Sequence, residues 1–251
     1  MGAVSLEVYE IRMRLVSVII PAYNEEAYIA ALLSRIAAVD TAPLGFQMEI
    51  IVVNDGSKDR TEEIVGGFSA SGVVCITQQN QGKGKAVQRG IEEARGEYLL
   101  VQDADLEYDP EDYPALLKAL ENADVVYGSR TLGQWQRRRS VTPGRHPRQG
   151  VGPWLAGVIL TCWTFLLYGR WISDTLTAYK LYPAAALKGM RIVTRGFETD
   201  HEITARLIRA GLRIVEVPIV YHPRSAVEGK KIKPRDGFIA VWTLLRFRFA
   251  K

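Results

Sequence analysis

Two aspartates separated by one residue lie directly after an apolar segment near the middle of the chain. The segment reads EYLLVQ over 97–102 and continues as Asp103-Ala104-Asp105. Two carboxylates at a strand end can both reach one hard divalent cation if the chain turns there, and such a cation can bridge the phosphates of a nucleoside diphosphate. The alternative is an acidic turn in which Asp105 or Asp109 caps a helix, and the triplet alone favours that alternative.

Three further polar segments follow apolar runs in the first half of the chain. They read PAYNEE over 21–26, NDGSKDRT over 54–61 and NQGKGK over 80–85. If the apolar runs are parallel strands, all four loops lie at one edge of the sheet, where such folds bind ligands. The last segment lacks the G-x-x-x-x-G-K-[ST] spacing of a Walker loop. We interpret it as a turn and a helix start whose basic groups meet phosphate.

The elements that must position these loops alternate between strands and helices. Strands are predicted at 16–20, 49–54, 73–77, 97–102 and 124–129. Helices are predicted at about 24–38, 59–68, 83–94 and 111–121. Strands separated by helices of this length predict an α/β fold with a mostly parallel central sheet and right-handed crossovers.

The second half of the chain is less regular and more basic. A mobile basic loop is predicted over 134–150, followed by an apolar run over 151–168 without a charge. As a helix that run is ~27 Å long, slightly short of a bilayer core of roughly 30 Å. We interpret this run and the apolar tail over 237–251 as a surface that lies in the membrane interface. The alternative for the run is a buried core helix or a dimer interface. A helix that spans the membrane is less favoured. A helix at 200–210 and a strand at 213–221 complete the prediction.

Charge is distributed unevenly along the chain. Residues 1–126 carry 10 Lys and Arg against 21 Asp and Glu, a net charge of −11, whereas residues 127–251 carry 22 against 7, a net charge of +15. The acidic half suits a metal, and the basic half suits phosphates, nucleic acid or an anionic membrane. Nucleic-acid binding leaves the acidic pair unexplained, so we do not expect it.

Several classes are excluded by composition and short motifs. The composition is that of a globular protein, which excludes disordered and collagen-like chains. No spacing suggests a zinc site, and Cys75 and Cys162, both in apolar runs, are expected to be buried free thiols in a reducing compartment. The first fifteen residues contain two glutamates and no apolar core, so we do not interpret them as a signal peptide.

Taken together, the motifs resemble the nucleotide-sugar domain of family 2 glycosyltransferases with the GT-A fold. The segments that carry the resemblance are PAYNEE, VVNDGSKDRT, NQGKGKA and QDADLEYDP. Later segments, GSR at 128–130, DTLTAYK at 174–180, GFE at 196–198 and EVPIVYHPRSAVEGKKI at 216–232, are similar to the dolichol- and polyprenyl-phosphate sugar synthase branch. The resemblance covers about residues 14–245.

The resemblance implies a division of the chain and a set of donor-binding residues. We expect a flexible extension at 1–13, a nucleotide-sugar-binding half at 14–130, and an acceptor-binding and membrane-interface half of the same catalytic domain at 131–251. By similarity, the residues that line the donor site are Pro21, Ala22, Tyr23, Glu25, Val53, Asp55, Lys83, Asp103, Ala104, Asp105 and Arg130.

The resemblance also implies a metal and a set of phosphate-binding residues. Asp103 and Asp105 would hold Mg²⁺ or Mn²⁺, with Glu107 at a position where the family often has glutamine. Arg130 and Asp105 are expected to be catalytic. The residues expected to meet the acceptor phosphate are Arg224, Lys230 and Lys231.

The chemistry of the acceptor decides whether the reaction needs a general base. A phosphomonoester is already an oxyanion at neutral pH, whereas a sugar hydroxyl must be deprotonated. Asp200 matches the place where hydroxyl-using relatives often carry an aspartate base; helix N-capping or a first-turn charge is its alternative role.

The preferred function is an inverting transfer of a hexose from a GDP- or UDP-sugar to a polyprenyl phosphate. We expect the protein on the cytoplasmic face of the membrane as a peripheral protein, with a homodimer as an additional partner. The alternative is a soluble family 2 transferase that uses a hydroxyl acceptor, with Asp200 as base. A sugar-nucleotide or membrane-surface binding module and a nucleotidyltransferase rank lower.

Overall fold

A computed structural model describes residues 12–137, 144–146, 150–224 and 234–250. One mixed sheet of seven strands forms the centre of this part of the chain, in the order β3-β2-β1-β4-β6-β5-β7. The strands are β1 Arg14–Ala22, β2 Phe46–Asn54, β3 Val73–Thr77, β4 Tyr98–Val101, β5 Val125–Ser129, β6 Lys180–Pro183 and β7 Ile214–Pro218.

Helices cover both faces of the sheet. They are α1 Ile29–Ala37, α2 Thr61–Gly66, α3 Lys83–Glu93, α4 Tyr113–Ala119, α5 Arg130–Arg137, α6 Val151–Tyr168, α7 Ala184–Lys188, α8 Thr199–Arg209 and α9 Pro234–Phe249. One buried cluster includes apolar residues of β1, α1 and α4, and another includes residues of β1, α3 and α8. β1 contributes to both clusters because successive side chains of a strand point to opposite faces.

The predicted α/β fold with a mostly parallel sheet is confirmed. β1 pairs in parallel with β2 and with β4, β2 with β3, and β5 with β7. The carboxyl ends of β1, β2 and β4 therefore meet at one edge. This edge is where the sequence predicts the polar loops to converge.

One strand of the sheet, β6, was not predicted from the sequence. β6 lies between β4 and β5 and runs antiparallel to both. It has four residues and begins with Lys180, which is fully buried. A short segment that opens with a lysine lacks the apolar run that identified the other strands. Residues 134–137, predicted as part of a mobile basic loop, are the last turn of α5.

The apolar run over 151–168 forms a helix that is largely exposed on this chain. Only Leu160, Thr161 and Thr164 of α6 are buried. Its contact with α9 includes a hydrogen bond of 3.1 Å from Trp163 Nε1 to the Val241 carbonyl. By length and composition, α6 is also the one helix among the described residues that could cross a membrane. A buried core helix is therefore not what the fold shows.

The two cysteines are free, but the expectation that they are buried is wrong. Cys75 lies on β3, which is the edge strand of the sheet, and Cys162 lies on the exposed helix α6. An apolar sequence neighbourhood indicated burial, but an edge strand and a helix that packs on one face only both leave apolar residues at the surface.

Candidate active site

A cavity of about 330 Å³ opens at the carboxyl ends of β1, β2 and β4. It is lined by eleven of the residues that the sequence predicts for the site: Pro21, Ala22, Tyr23, Glu25, Asp55, Lys83, Asp103, Ala104, Asp105, Glu107 and Arg224. These residues come from positions 21 to 224 of the chain, and the parallel sheet brings them to one edge. Val53, Arg130 and Asp200 are not among the described residues that line it.

The two predicted metal-binding aspartates lie in the turn after β4, and each contacts a cation. Lys83 Nζ is 2.6 Å from Asp103 Oδ1. The Arg224 guanidinium donates a hydrogen bond to Asp105 Oδ2. The carboxylates thus face the cavity beside two positively charged groups from α3 and from the segment after β7.

Burial and the carboxylates at this edge of the cavity shift the pKa values of Asp105 and Lys83. Burial, followed by the negative charges of Asp103 and Glu107, raises the pKa of Asp105 to about 7 although Arg224 opposes the shift. Burial alone would lower the pKa of Lys83, but the carboxylates of Asp103, Asp200 and Asp105 outweigh it and raise that pKa. The surroundings of Asp105 therefore disfavour its negative charge, and a bound cation would stabilise that charge.

Glu107 anchors the segment that carries Arg224. Its carboxylate accepts hydrogen bonds from the Arg224 backbone N–H at 2.7 Å and from the Tyr221 hydroxyl at 3.1 Å. Its backbone carbonyl accepts a hydrogen bond from His222 N–H at 2.8 Å. The structure thus places this predicted metal ligand in the cavity wall with both carboxylate oxygens already engaged.

Arg224 lies among three carboxylates rather than at a separate acceptor surface. Besides its contact with Asp105, its Nη1 is 3.6 Å from Glu25 Oε2, and its Nε is 4.0 Å from Glu107 Oε1. Its guanidinium carbon lies 5.4 Å from the centre of the Tyr28 ring. The other two predicted acceptor-phosphate residues, Lys230 and Lys231, lie outside the described residues.

Asp55 shapes the loop that carries Gly82 and Lys83. Asp55 Oδ1 accepts hydrogen bonds from Gln78 Nε2 at 2.7 Å and Gln81 N–H at 2.9 Å, and Oδ2 accepts one from Gly82 N–H at 2.9 Å. Gly82 has φ +94°, and a Cβ there would lie 2.9 Å from the Arg195 carbonyl oxygen. The turn therefore requires glycine, and it places Lys83 at the start of α3 beside Asp103.

The loop after β1 is joined to the loop after β2. Asn24, at φ 53°, accepts a hydrogen bond from Lys58 N–H at 2.8 Å, and the backbone N–H of Asn24 donates to Ser57 Oγ at 3.0 Å. The backbone N–H of Glu25 donates to Thr61 Oγ1 at 2.9 Å. These bonds hold the wall that contains Tyr23 and Glu25. Val53 lies beneath the wall, fully buried in the core.

Arg130 lies behind the cavity in a buried ion pair. Its Nε and Nη2 each lie 2.7 Å from an oxygen of Asp174, which is a bidentate contact. Its guanidinium carbon is 4.9 Å from the centre of the Tyr221 ring, and Tyr221 in turn donates to Glu107. Arg130 therefore contacts the cavity wall through Tyr221.

Asp200 is held by a lysine in the centre of the sheet. It lies in the first turn of α8, and its Oδ1 is 3.7 Å from Nζ of the fully buried Lys180. Burial lowers the pKa of Lys180, although the charge of Asp200 opposes that shift. Burial, followed by the charge of Lys180, also lowers the pKa of the neighbouring His201 to about 4.

Some residues of the cavity lie in motifs noted in the sequence, but no role was predicted for them. Asn80, Gly196 and Phe197 line the cavity, and the Phe197 ring centre is 5.7 Å from Lys83 Nζ. Lys180 was also missed, although a lysine at the end of the DTLTAYK segment was visible. Nothing in the sequence indicated that this lysine would be buried.

The donor set suits a hard divalent cation that is completed by a ligand. Among the described residues, no group of three or more His, Cys, Asp or Glu side chains is arranged to hold a metal by itself. Asp103 and Asp105 supply carboxylate oxygens, which Mg²⁺ and Mn²⁺ prefer, at a buried site with excess negative charge. Two protein carboxylates plus phosphate oxygens are a common way to hold such a cation.

Comparison with known proteins identifies a family and a group of relatives. Residues 17–171 match the family model described as glycosyl transferase family 2. A low-salt glycan biosynthesis hexosyltransferase of Haloferax volcanii is 31% identical over 92% of this chain and 52% of its own length. A dolichol-phosphate mannosyltransferase of Pyrococcus furiosus is 33% identical over 86% of this chain and 58% of its own length. The chain thus spans little more than half the length of these two relatives.

A solved structure shares the fold. Glucosyl-3-phosphoglycerate synthase from Mycobacterium tuberculosis, in complex with Mn²⁺, uridine diphosphate and phosphoglyceric acid, superposes with a TM-score of 0.67. The match has 23% sequence identity and covers 95% of this chain and 80% of that one. The seven-stranded sheet with its flanking helices therefore has the GT-A fold.

Proposed function

Because the chain belongs to glycosyl transferase family 2, we propose that it transfers a hexose from a GDP- or UDP-sugar to a polyprenyl phosphate, with inversion at the anomeric carbon. The observation that carries the proposal is the acidic pair Asp103 and Asp105 in a cavity with two cations, Lys83 and Arg224. The Pyrococcus relative, named as a dolichol-phosphate mannosyltransferase, supports the choice of acceptor.

Departure of a nucleoside diphosphate is the difficult part of this reaction. Asp103 and Asp105 would hold Mg²⁺ or Mn²⁺, which supplies charge neutralisation at the diphosphate as it leaves. Lys83 and Arg224 contribute positive charge at the same edge of the cavity and are suited to charge-assisted contacts with phosphate oxygens. Tyr23 and Asp55 line the part of the cavity that would receive the nucleoside.

The acceptor phosphate needs orientation and charge balance rather than a base. Its second ionisation has a pKa near 6, so its oxygen is already nucleophilic at neutral pH. The location of Asp200 supports this choice, since it pairs with the buried Lys180 and does not line the described part of the cavity. A base for a hydroxyl acceptor would need to reach the reacting proton.

An asparagine at position 200 tests the acceptor class. We expect Asp200→Asn to keep release of nucleoside diphosphate, driven by a short polyprenyl phosphate, within about threefold of wild type, since no general base is lost. The variant would be compared with wild type on UDP- and GDP-sugars with Mn²⁺. Assays would run well below the melting temperature of the variant, because Lys180 loses its partner.

A large loss of turnover in Asp200→Asn would favour the alternative function, a transferase that uses a hydroxyl acceptor. A loss of about a hundredfold or more in Asp200→Asn, in a folded variant, would make Asp200 a general base. Release that ignores the lipid and responds to a soluble hydroxyl acceptor would lead to the same conclusion. The second result would replace the polyprenyl phosphate by a hydroxyl acceptor.

We further propose that α6 and α9 bind the membrane surface, so that the protein is peripheral on the cytoplasmic face. The two helices pack together through Trp163 and through a hydrogen bond of 2.6 Å from the Tyr168 hydroxyl to the Leu244 carbonyl. Their outer faces expose Leu166 and Phe238, which are 72% and 79% accessible. Arginines near the end of α9 flank this apolar surface, as suits an anionic interface.

Charged substitutions on this surface test membrane binding. Leu166→Asp and Phe238→Asp are each expected to weaken binding to anionic phospholipid vesicles by about tenfold or more, because burying a large apolar side chain contributes roughly 1.5–3 kcal/mol. Co-sedimentation measures the effect. The control is Val74→Asp, which alters an exposed apolar residue on the edge strand β3. Equal binding by all variants, or loss of a dimer by light scattering without loss of vesicle binding, would contradict the assignment.

A further inference from the structure

Each of the two aspartates of the acidic pair is already neutralised by a cation of the chain itself. Lys83 Nζ contacts Asp103 Oδ1 at 2.6 Å, and these side chains are 18% and 23% exposed. Arg224 contacts Asp105 Oδ2, and these side chains are 13% and 10% exposed. Both ion pairs are thus shielded from solvent and face the cavity.

A divalent cation at the acidic pair would compete with these two contacts. A metal ion binds carboxylate oxygens at about 2.0–2.6 Å, which is the space in front of Asp103 Oδ1 and Asp105 Oδ2 that the two cations now fill. An ammonium and a guanidinium beside a divalent ion also repel it strongly where solvent is largely excluded. Lys83 and Arg224 therefore compete with a metal for Asp103 Oδ1 and Asp105 Oδ2.

The displaced cations would remain at the cavity. Arg224 is fixed by its backbone hydrogen bond to Glu107, and Glu25 and the Tyr28 ring lie beside its guanidinium. Lys83 is the first residue of α3 and follows the loop that Asp55 holds by hydrogen bonds. Its Nζ lies 5.7 Å from the centre of the Phe197 ring. Short movements of flexible side chains would then turn both cations from carboxylate oxygens to phosphate oxygens.

We propose that Lys83 and Arg224 are built-in competitors of the divalent cation, so that the metal binds weakly alone and tightly with a nucleoside diphosphate, whose phosphates take over the two cations. This inference rests on the proposed function, since it presupposes a metal and a nucleotide in this cavity. It assigns the two residues a role before catalysis. They keep the acidic pair neutral until the nucleotide arrives, and they couple the binding of nucleotide to that of metal.

Mn²⁺ binding to the full chain without substrate tests the inference. Free Mn²⁺ would be measured by electron paramagnetic resonance in wild type, Lys83→Met and Arg224→Met. Each variant lacks one competitor, so each is expected to bind Mn²⁺ about threefold to tenfold more tightly than wild type. The same variants are expected to bind UDP and GDP more weakly. A residue that merely binds phosphate would leave affinity for Mn²⁺ alone unchanged.

Matched variants separate competition from other effects. Lys83→Arg and Arg224→Lys keep a cation and are expected to bind Mn²⁺ as wild type does. Arg89→Met removes a positive charge from the same helix as Lys83, beyond the cavity, and is also expected to match wild type. Melting curves establish that each variant is folded, and Arg224→Gln replaces Arg224→Met if the latter is not.

The outcomes distinguish failure of the inference from failure of the proposed function. Mn²⁺ binding that is unchanged or weaker in both methionine variants would overturn the inference and leave the proposed metal site intact. No Mn²⁺ binding by wild type, with or without UDP or GDP, would overturn the proposed function itself. A gain in affinity for Mn²⁺ that also appears in Arg89→Met would show an effect of net charge and would overturn the proposed competition.

Discussion

Replacing Asp105 with asparagine is expected to reduce turnover by about a hundredfold to a thousandfold. The substitution keeps the shape of the side chain but removes the charge that the metal needs. Burial, and then the charges of Asp103 and Glu107, raise the pKa of Asp105 to about 7. A divalent cation beside Asp105 would stabilise its charged form, and an asparagine offers no charge to such a cation.

The measurement is release of nucleoside diphosphate from the preferred donor with saturating Mn²⁺. Glu111→Gln is the matched control, because it neutralises an exposed carboxylate six residues away in the same acidic segment. We expect the control to have wild-type turnover and both variants to melt like the wild type. Turnover of Asp105→Asn within about threefold of wild type would show that the acidic pair does not carry the chemistry.

Replacing Arg130 with methionine is expected to lower the free energy of unfolding by about 3–5 kcal/mol. The loss comes from Asp174, which is 6% exposed and would be left without its bidentate partner. Among the described residues, Asp174 forms no other ion pair. Denaturation in urea, monitored by circular dichroism, gives the free energy.

Two comparisons make the stability prediction specific to burial. Arg60→Met breaks an ion pair with Glu63 whose side chains are 70% and 66% exposed, and it is expected to leave the free energy of unfolding nearly unchanged. Arg130→Met combined with Asp174→Leu removes both buried charges and is expected to cost less than the sum of the two single changes. If Arg130→Met is no more destabilising than Arg60→Met, the ion pair is not the structural element that its geometry indicates.

The parallel strands and the acidic turn could be predicted because their signals are local. Continuous apolar runs such as VSVII mark buried strands, and polar loops after such runs meet at one sheet edge. The convergence of Tyr23, Asp55 and Asp103 follows from that rule alone. Ten of the eleven predicted residues that line the cavity lie in or after β1 to β4, and Arg224 is the exception.

The partners of the charged residues could not be predicted, because they depend on contacts between distant parts of the chain. Arg224 meets Asp105 across 119 residues, and Arg130 meets Asp174 across 44. The sequence showed basic residues that are suited to phosphate, but not that they would neutralise the acidic residues of the same site. Lys180 was missed for a related reason, since a lysine inside a strand normally indicates a surface position.

Transfer of labelled sugar into the lipid phase tests the central claim most directly. The protein would be incubated with Mn²⁺, a polyprenyl phosphate and UDP- or GDP-hexoses labelled in the sugar, and the products would be partitioned between water and organic solvent. We expect label in the organic phase with one of the two nucleotide classes, and none when the lipid phosphate is replaced by the corresponding polyprenol. Label that stays in the aqueous phase with every donor, while a soluble hydroxyl acceptor becomes glycosylated, would contradict the account.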